Sequence, residues 1–223
     1  MLRSRVLMLC SAFLGFGASQ AYGFDMGVVG THVKMLQAPS AFVRVSDDPL
    51  QKGAESFIDQ MANEAIGFLG NADLSEAQKA SRFRKLLRAK FDMKTIGRFA
   101  LGRHWRGASA AQKKEYQSLF ENMIVEVYAA RFGDYQGQAL EVRSSRKDSE
   151  RDVSVQSYIV PDSGPEIQVD WRVRKKDGRY RVVDVSVEGV SMAVTQRSEF
   201  SSVIQRGGGE VAVLLAHLSG DSQ

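Results

Sequence analysis

The stretch that decides the fold runs from residue 167 to residue 187: Ile167-Gln-Val-Asp-Trp-Arg-Val-Arg-Lys-Lys-Asp-Gly-Arg-Tyr-Arg-Val-Val-Asp-Val-Ser-Val187. Its first half alternates strictly between apolar and polar side chains, which predicts a strand with one buried face and one solvated face. Asp177-Gly178 is the residue pair that two-residue hairpin turns prefer. The second half predicts the returning strand, and one face of that strand is expected to carry Arg181, Val183, Val185 and Val187. The sequence therefore predicts an antiparallel sheet.

The chain before and after this hairpin predicts further strands and two groups of helices. Strands are expected from Leu140 onwards, with Val153, Val155 and Ile159 on a shared face. Helix starts are predicted upstream by Asp48-Pro49, by Asp92 and by the capping boxes Ser75–Gln78 and Ser109–Gln112, the last helix ending at about Phe132. After Gly189 we expect a helix from Ser191 to Arg206, a break at Gly207–Gly209, and a helix from Val211 to Leu218. Helices, then strands, then helices is an α+β order.

The N-terminus predicts a secretion signal over residues 1–23. Arg3 and Arg5 precede an apolar run from Val6 to Phe16, and small residues follow at a cleavage position. That run is too short to span a bilayer, which needs about 20 residues. Residues 24–46 lack a clean periodicity and are expected to be a poorly ordered lead-in to a domain over residues 47–219.

Composition excludes several classes of protein. Cys10 is the only cysteine and lies in the predicted signal, so the mature chain is expected to have no disulfide. About 200 residues are enough to bury a core without one. The formal charge is +4, which falls to +2 without Arg3 and Arg5, and this is too mild a charge to indicate nucleic-acid binding.

No motif in the sequence identifies a reaction. His32, His104 and His217 are scattered, and neither metal-ligand spacing nor a phosphate-binding or dinucleotide-binding fingerprint occurs. Gly189-Val-Ser-Met-Ala193 is similar to the nucleophile elbow of hydrolases, with Ser191 as nucleophile, but Ala193 stands where the motif has glycine. The other interpretation is that Ser191 caps the helix that follows.

Two blocks carry a family resemblance. They are Phe91-Asp-Met-Lys-Thr-Ile-Gly-Arg-Phe-Ala-Leu-Gly-Arg-His-Trp-Arg106 and Val183-Asp-Val-Ser-Val-Glu-Gly-Val-Ser-Met-Ala-Val-Thr-Gln-Arg-Ser-Glu-Phe-Ser-Ser-Val-Ile-Gln-Arg206. Together they resemble the MlaC-like family of periplasmic phospholipid-binding proteins, also called the toluene-tolerance family. The segment from Met192 to Phe200 is most similar to the hopanoid-associated HpnM branch. The resemblance extends from about Pro49 to Leu218.

This resemblance implies a fold and a function. The fold would be a curved antiparallel sheet of the nuclear-transport-factor-2-like type, backed by helices and enclosing an apolar cavity. The protein would be a soluble periplasmic carrier, not an enzyme, that shuttles a phospholipid or a hopanoid-type lipid. Its partners would be the MCE-domain ring of an inner-membrane ABC transporter and an outer-membrane lipoprotein complex, and its bound group a lipid with no metal or other cofactor. A periplasmic serine hydrolase using Ser191 and a structural adaptor without lipid remain the alternatives.

A lipid site consists of ordinary apolar residues, because each buried methylene contributes about 0.8 kcal/mol and a sixteen-carbon chain on the order of 10 kcal/mol before entropy losses. The candidate wall residues are large apolar side chains on elements expected to face the sheet: Ile96, Phe99, Trp105, Tyr128, Phe132, Val169, Trp171, Val173, Val185, Val190 and Met192. The candidate headgroup ligands are Arg98, Arg103 and Arg106, since a guanidinium binds phosphate in a bidentate manner.

Two further basic clusters stand out. The second predicted helix carries Lys79, Arg82, Lys85 and Arg88 on one face, which either is a solvated face or contacts an anionic membrane. The hairpin carries Arg172, Arg174, Lys175, Lys176 and Arg179, which are either solvated or able to dock an anionic partner.

Overall fold

The structure is a computed structural model that describes residues 48–220. The predicted signal peptide over residues 1–23 and the lead-in over residues 24–46, with Cys10 and His32, lie outside the described residues. The N-terminal helices are α1 (Pro49–Leu69), α2 (Glu76–Lys90), α3 (Met93–Leu101), α4 (His104–Gly107) and α5 (Ala110–Ala129), followed by a 3-10 turn (Phe132–Asp134). The sheet strands are β1 (Ala139–Lys147), β2 (Asp152–Val160), β3 (Ile167–Lys176), β4 (Arg179–Val187) and β5 (Val190–Ser191). Helices α6 (Met192–Arg206) and α7 (Val211–Ser219) complete the chain.

The helix starts lie where the sequence predicts them. The side chain of Asp48 accepts a hydrogen bond from the Leu50 amide at 2.7 Å and caps α1. Ser75 and Ser109 each form a complete capping box, with Gln78 and Gln112 as partners. One boundary differs, because α5 ends at Ala129 and the chain continues as the tighter 3-10 turn instead of extending the helix to Phe132. Local capping therefore determined the starts better than the ends.

The sheet is antiparallel throughout and its strand order is β1-β2-β3-β4-β5. The predicted hairpin turn is confirmed, since Asp177 and Gly178 both have positive φ, at 50° and 75°. The α+β class is also confirmed, with helices before and after a single meandering sheet.

The face predicted for β4 is wrong for two of its four residues. Val185 and Val187 lie opposite Trp171 and Val169, as expected, but the register shifts after Arg172. Because of this bulge Val182 is the residue that pairs with Val173, and Val182 is fully buried. Arg181 and Val183 lie away from the core as a result. A bulge of one residue exchanges the two faces of a strand, and sequence alternation does not reveal it.

The buried side chains form two separate clusters. The helical cluster comes mainly from α3, α5, α6 and α7 and consists of Ala100, Leu101, Ala108, Tyr116, Phe120, Phe200, Ile204, Val211, Leu214 and Leu215. The sheet cluster joins α1 and α2 to the sheet and consists of Ala54, Ile58, Met61, Phe68, Leu86, Val153, Val155, Val173 and Val182. A domain more commonly has one contiguous core with small satellite clusters. Two clusters of similar size are therefore an unusual feature of this fold.

The helical cluster is built on three aromatic rings. Tyr116 stacks on Phe120 with ring centroids 5.8 Å apart, and Phe200 meets both rings edge-on. The Tyr116 hydroxyl donates a hydrogen bond to the Gly97 carbonyl at 2.9 Å. Burial raises the pKa of Tyr116, so it stays a neutral donor. The centre of this cluster is filled and its polar atom is satisfied.

Candidate functional site

Six buried apolar side chains belong to neither cluster, and we call them the interlayer seam. They come from six different elements, namely α2, α5, the 3-10 turn, β3, β4 and α6. The seam consists of Leu87, Val125, Phe132, Val169, Val187 and Ala193. Both the sheet and the helices contribute residues to the seam.

The sheet wall of the seam is one cross-strand row. Three such rows run across the buried faces of β2, β3 and β4. Two belong to the region of the sheet cluster: Val153, Val173 and Val182 form one, and Val155, Trp171 and Val185 form the next. The third row, at the seam, consists of Ser157, Val169 and Val187. The wall therefore carries small side chains at the point where the packed cluster ends.

The one polar residue in this wall has both of its hydrogen-bonding functions satisfied. Ser157 is fully buried, and its hydroxyl donates to the Val169 carbonyl at 3.0 Å. The same oxygen accepts from the Trp171 indole N–H at 2.8 Å. A buried polar group without a partner would disfavour an apolar ligand, whereas a satisfied one leaves the wall effectively apolar. This wall row therefore presents no unpaired serine hydroxyl.

Aromatic rings lie on the helical side of the seam. Phe132 meets Phe68 and Phe83 edge-on, with centroids 6.4 Å and 5.4 Å apart. The Tyr128 ring lies 6.0 Å from that of Phe83. These contacts tie the 3-10 turn and the end of α5 to α1 and α2.

The structure brings together some of the predicted wall residues. Val169 and Phe132 are members of the seam, while Trp171, Val173 and Val185 share the same sheet face within the sheet cluster. Ile96 and Trp105 pack instead against the helical cluster. Met192 is half-buried at the first position of α6.

Two predicted wall residues are exposed at the surface. Phe99 is 41% exposed and Val190 is 50% exposed. Helix α3 buries Gly97, Ala100 and Leu101, which turns Phe99 outward, where the Arg197 guanidinium covers its ring at 5.4 Å. Val190 follows two residues with positive φ, Glu188 and Gly189, and this turn carries it to the surface.

Sequence patterns missed other residues of the seam. Val125 was not among the candidate wall residues, and Ala193 was considered only as part of a possible catalytic motif. Ser157 is the clearest omission, because strict alternation with Val153, Val155 and Ile159 places it on the buried face. A serine among inward-facing valines was the signal.

The predicted headgroup arginines lie on the helical layer. Arg98, Arg103 and Arg106 are exposed, and within residues 48–220 none forms an ion pair. Arg103 donates from Nε to His104 Nε2 at 3.4 Å. Burial and then the adjacent Arg103 charge lower the pKa of His104. These three cations are available to an anionic group, but their placement at a lipid headgroup stays a prediction.

Ser191 performs the capping role. Its hydroxyl accepts from the Val194 amide at 3.1 Å and donates to Asp184 Oδ2 at 2.6 Å. The other carboxylate oxygen of Asp184 accepts from the Ala193 amide at 3.2 Å. A nucleophilic serine needs a base such as histidine at this position, and a carboxylate in contact with the hydroxyl orients the cap instead.

Within the part of the chain that the structure describes, no group of three or more acidic, histidine or cysteine side chains is arranged to hold a metal ion. None of the helices described is both long and apolar enough to cross a membrane.

Two curated proteins match part of the chain. The toluene tolerance protein ttg2D of Pseudomonas putida is 23% identical over 106 residues, 48% of this chain and 49% of the relative. The intermembrane phospholipid transport system binding protein MlaC of Haemophilus influenzae is 24% identical over 105 residues, 45% of this chain and 49% of the relative. The chain thus spans about half the length of the curated relatives that it matches.

A solved structure shares the fold. The phospholipid-binding protein of Ralstonia solanacearum in complex with a phospholipid has a TM-score of 0.66 and 23% identity, over 75% of this chain and 95% of that chain. At this level of identity the likeness establishes the fold. The family model described as MlaC protein matches residues 59–219, which is most of the chain. This protein belongs to the MlaC family.

Proposed function

We propose that this protein is a periplasmic lipid carrier that holds the apolar part of a phospholipid, or of a hopanoid-type lipid, in the interlayer seam. The observation that carries the proposal is the division of the core into two clusters, with six further buried apolar side chains that belong to neither. A core that serves only to stabilise a domain is usually contiguous. A core that serves as a solvent for acyl chains needs two walls that can separate.

The chemistry of the seam suits acyl chains. Its members are apolar, and the buried Ser157 beside them is fully hydrogen-bonded. At about 0.8 kcal/mol per buried methylene, apolar walls alone supply on the order of 10 kcal/mol for a sixteen-carbon chain. Part of that is lost to ordering the lipid. No reactive group is required, and this supports a carrier that is not an enzyme.

The finer parts of the proposal follow from the family. The chain would reach the periplasm through cleavage of the predicted signal over residues 1–23. It would exchange lipid with the MCE-domain ring of an inner-membrane ABC transporter and with an outer-membrane lipoprotein complex. The relatives whose names refer to phospholipid transport and to toluene tolerance support this setting.

Mass spectrometry of an organic extract of the purified chain tests the carrier function. We expect lipid in a near-stoichiometric amount, and we expect delipidated protein to take up phospholipid from vesicles. A lipid present at 100 times its Kd would also stabilise the folded state by about 2.7 kcal/mol. Protein that contains no lipid from two expression hosts, and that binds none when it is added, would instead be a structural adaptor.

A further inference from the structure

Basic residues that lie far apart in the sequence line one groove. The groove has a volume of about 550 Å³ and opens between the end of α2, the start of α3 and the β3–β4 hairpin. Helix α2 contributes Arg88 and α3 contributes Lys94. The hairpin strands contribute Arg174, Lys176, Arg179 and Arg181. None of these six residues belongs to the lipid seam, so the groove is a second candidate site.

Three of the six cations are held in place by partners. Arg174 makes two hydrogen bonds to Asp152, at 2.7 Å and 2.8 Å, and Arg88 Nε lies 2.8 Å from Glu121 Oε1. Arg181 donates to the backbone carbonyls of Arg88 and Phe91, at 2.9 Å and 3.2 Å. The bonds of Arg181 join the hairpin to the end of α2, those of Arg174 join β3 to β2, and the Arg88 pair joins α2 to α5. They give the groove a fixed shape.

The other three cations have no counter-charge. Lys94, Lys176 and Arg179 are exposed, and none forms an ion pair with another residue between 48 and 220. Among residues 48–220, two carboxylates line the groove, and Asp92 is already occupied as the cap of α3, where it accepts from the amide and hydroxyl of Thr95. The second, Asp177, lies in the hairpin turn. The groove therefore has an excess of positive charge with three cations free to meet an anion.

The groove is also partly apolar and elongated. Phe91, Met93 and Val183 lie among its lining residues, and Val183 is directed there by the bulge in β4. A neighbouring depression of about 360 Å³ shares Arg88, Met93 and Lys94 and continues toward α5. Cations separated along such a depression suit an extended ligand with several negative charges. They suit a single phosphate less, because that requires convergent donors.

We infer that this groove docks an acidic, extended segment of a partner protein. Carboxylates of that segment would meet Lys94, Lys176 and Arg179, and an apolar side chain would rest on Phe91, Met93 and Val183. A flat anionic membrane fits less well, since the groove is concave and part of its charge is recessed. The inference rests on the proposed function to the extent that a carrier has to dock to the proteins with which it exchanges lipid.

The experiment uses fluorescence anisotropy with a labelled peptide that alternates glutamate and leucine. The variant Lys94→Glu/Arg179→Glu reverses two unpaired charges of the groove. Its matched control is Lys114→Glu/Arg206→Glu, which has the same charge change at two exposed positions outside the groove that form no ion pair with a described residue. We expect the groove variant to bind the peptide at least 10-fold more weakly and the control to bind within 2-fold of the unmodified chain. Binding should weaken as salt increases.

Three results would overturn the inference: equal weakening in both variants, no peptide binding at low salt, or groove-dependent binding to phosphatidylglycerol-containing vesicles in place of the peptide. Circular dichroism of each variant establishes that it is folded. The lipid content of the same samples separates this inference from the carrier function, because a groove variant that keeps its lipid but loses the peptide affects docking alone. A chain that never holds lipid but still binds the peptide through the groove would refute only the carrier.

Discussion

The helical cluster and the interlayer seam are both buried, yet they are built differently. The helical cluster has Tyr116, Phe120 and Phe200 in mutual ring contact at its centre. The sheet wall of the seam has two valines and a hydrogen-bonded serine. Large interlocking rings fill space and fix a structure, whereas small side chains between two layers leave room for a ligand. The difference teaches that exposure alone does not separate these two regions, and that cluster membership and side-chain size do.

The largest effect should come from opening a cavity in the helical cluster. Phe200→Ala removes a ring that meets two others edge-on, and we expect a loss of about 3–5 kcal/mol in the free energy of unfolding. Urea denaturation of delipidated protein measures this loss. Val187→Ala in the seam is the comparison, and it should cost clearly less because fewer atoms are removed. A Phe200→Ala cost under 1 kcal/mol would show that the helical cluster is not the filled region.

A matched pair of tryptophan substitutions on β3 tests the boundary between the sheet cluster and the seam. Val169 and Val173 are both about 1% exposed and share one strand face, but only Val173 belongs to the sheet cluster. Val173→Trp should cost about 1–3 kcal/mol by overpacking. Val169→Trp should leave the Tm of delipidated protein unchanged or higher, because the carrier proposal puts lipid and not packed core against this side chain.

Lipid uptake completes that test. Val169→Trp should lower phospholipid uptake, measured on delipidated samples because bound lipid itself stabilises the fold. If both variants lose stability equally and Val169→Trp keeps its lipid, the seam is ordinary core at that position. The family assignment would stand in that case, since it depends on the match over residues 59–219.

The ion pair at the far end of the sheet should affect stability and leave the seam unchanged. Asp152 is 4% exposed and accepts two hydrogen bonds from Arg174. This hydrogen bonding to Arg174 holds the pKa of Asp152 below its usual range. A carboxylate with a lowered folded-state pKa stabilises the fold above its unfolded pKa of about 3.9, and that contribution is lost as pH falls through the folded value.

Asp152→Asn should therefore cost about 1.5 kcal/mol at pH 7. The difference from the unmodified chain should shrink as pH is lowered below about 4, which denaturation midpoints at several pH values would measure. Lipid uptake should be unaltered, because Asp152 pairs with Arg174 at the opposite end of β2 from the seam row. A pH-independent difference would mean that the loss comes from packing and not from charge.

The sequence was sufficient to predict the structural features that depend on residues close together in the chain. The caps at Asp48, Ser75 and Ser109 and the turn at Asp177-Gly178 were predictable, because each is a hydrogen-bonding or backbone requirement within four residues. The order of helices and strands followed from periodicity in the same way.

Features that depend on contacts between distant elements were not predictable. The bulge at Val183 reverses the face of half a strand, and its signal lies in the pairing with β3. Phe99 lies on the expected helix, but the packing of Gly97, Ala100 and Leu101 decides its outward direction. The seam is a still harder case, since its residues are as apolar as core residues and only their absence from both clusters distinguishes them.

The smallest expected effect concerns the helix that joins the two regions. Helix α6 begins beside the seam at Ala193 and reaches the helical cluster with Phe200 and Ile204. Ser191→Ala removes the cap and leaves Asp184 without the serine hydroxyl, so we expect a loss of about 1 kcal/mol in the free energy of unfolding. Ser191→Thr is the control, because threonine retains the hydroxyl and should recover most of that stability.

Lipid content should be the same in both variants, since the cap stabilises α6 without contacting the wall row of β3 and β4. Hydrolysis of a p-nitrophenyl ester measured alongside gives the opposing outcome: an esterase activity that is lost in Ser191→Ala while the fold is retained would assign Ser191 to catalysis and the protein to the hydrolases.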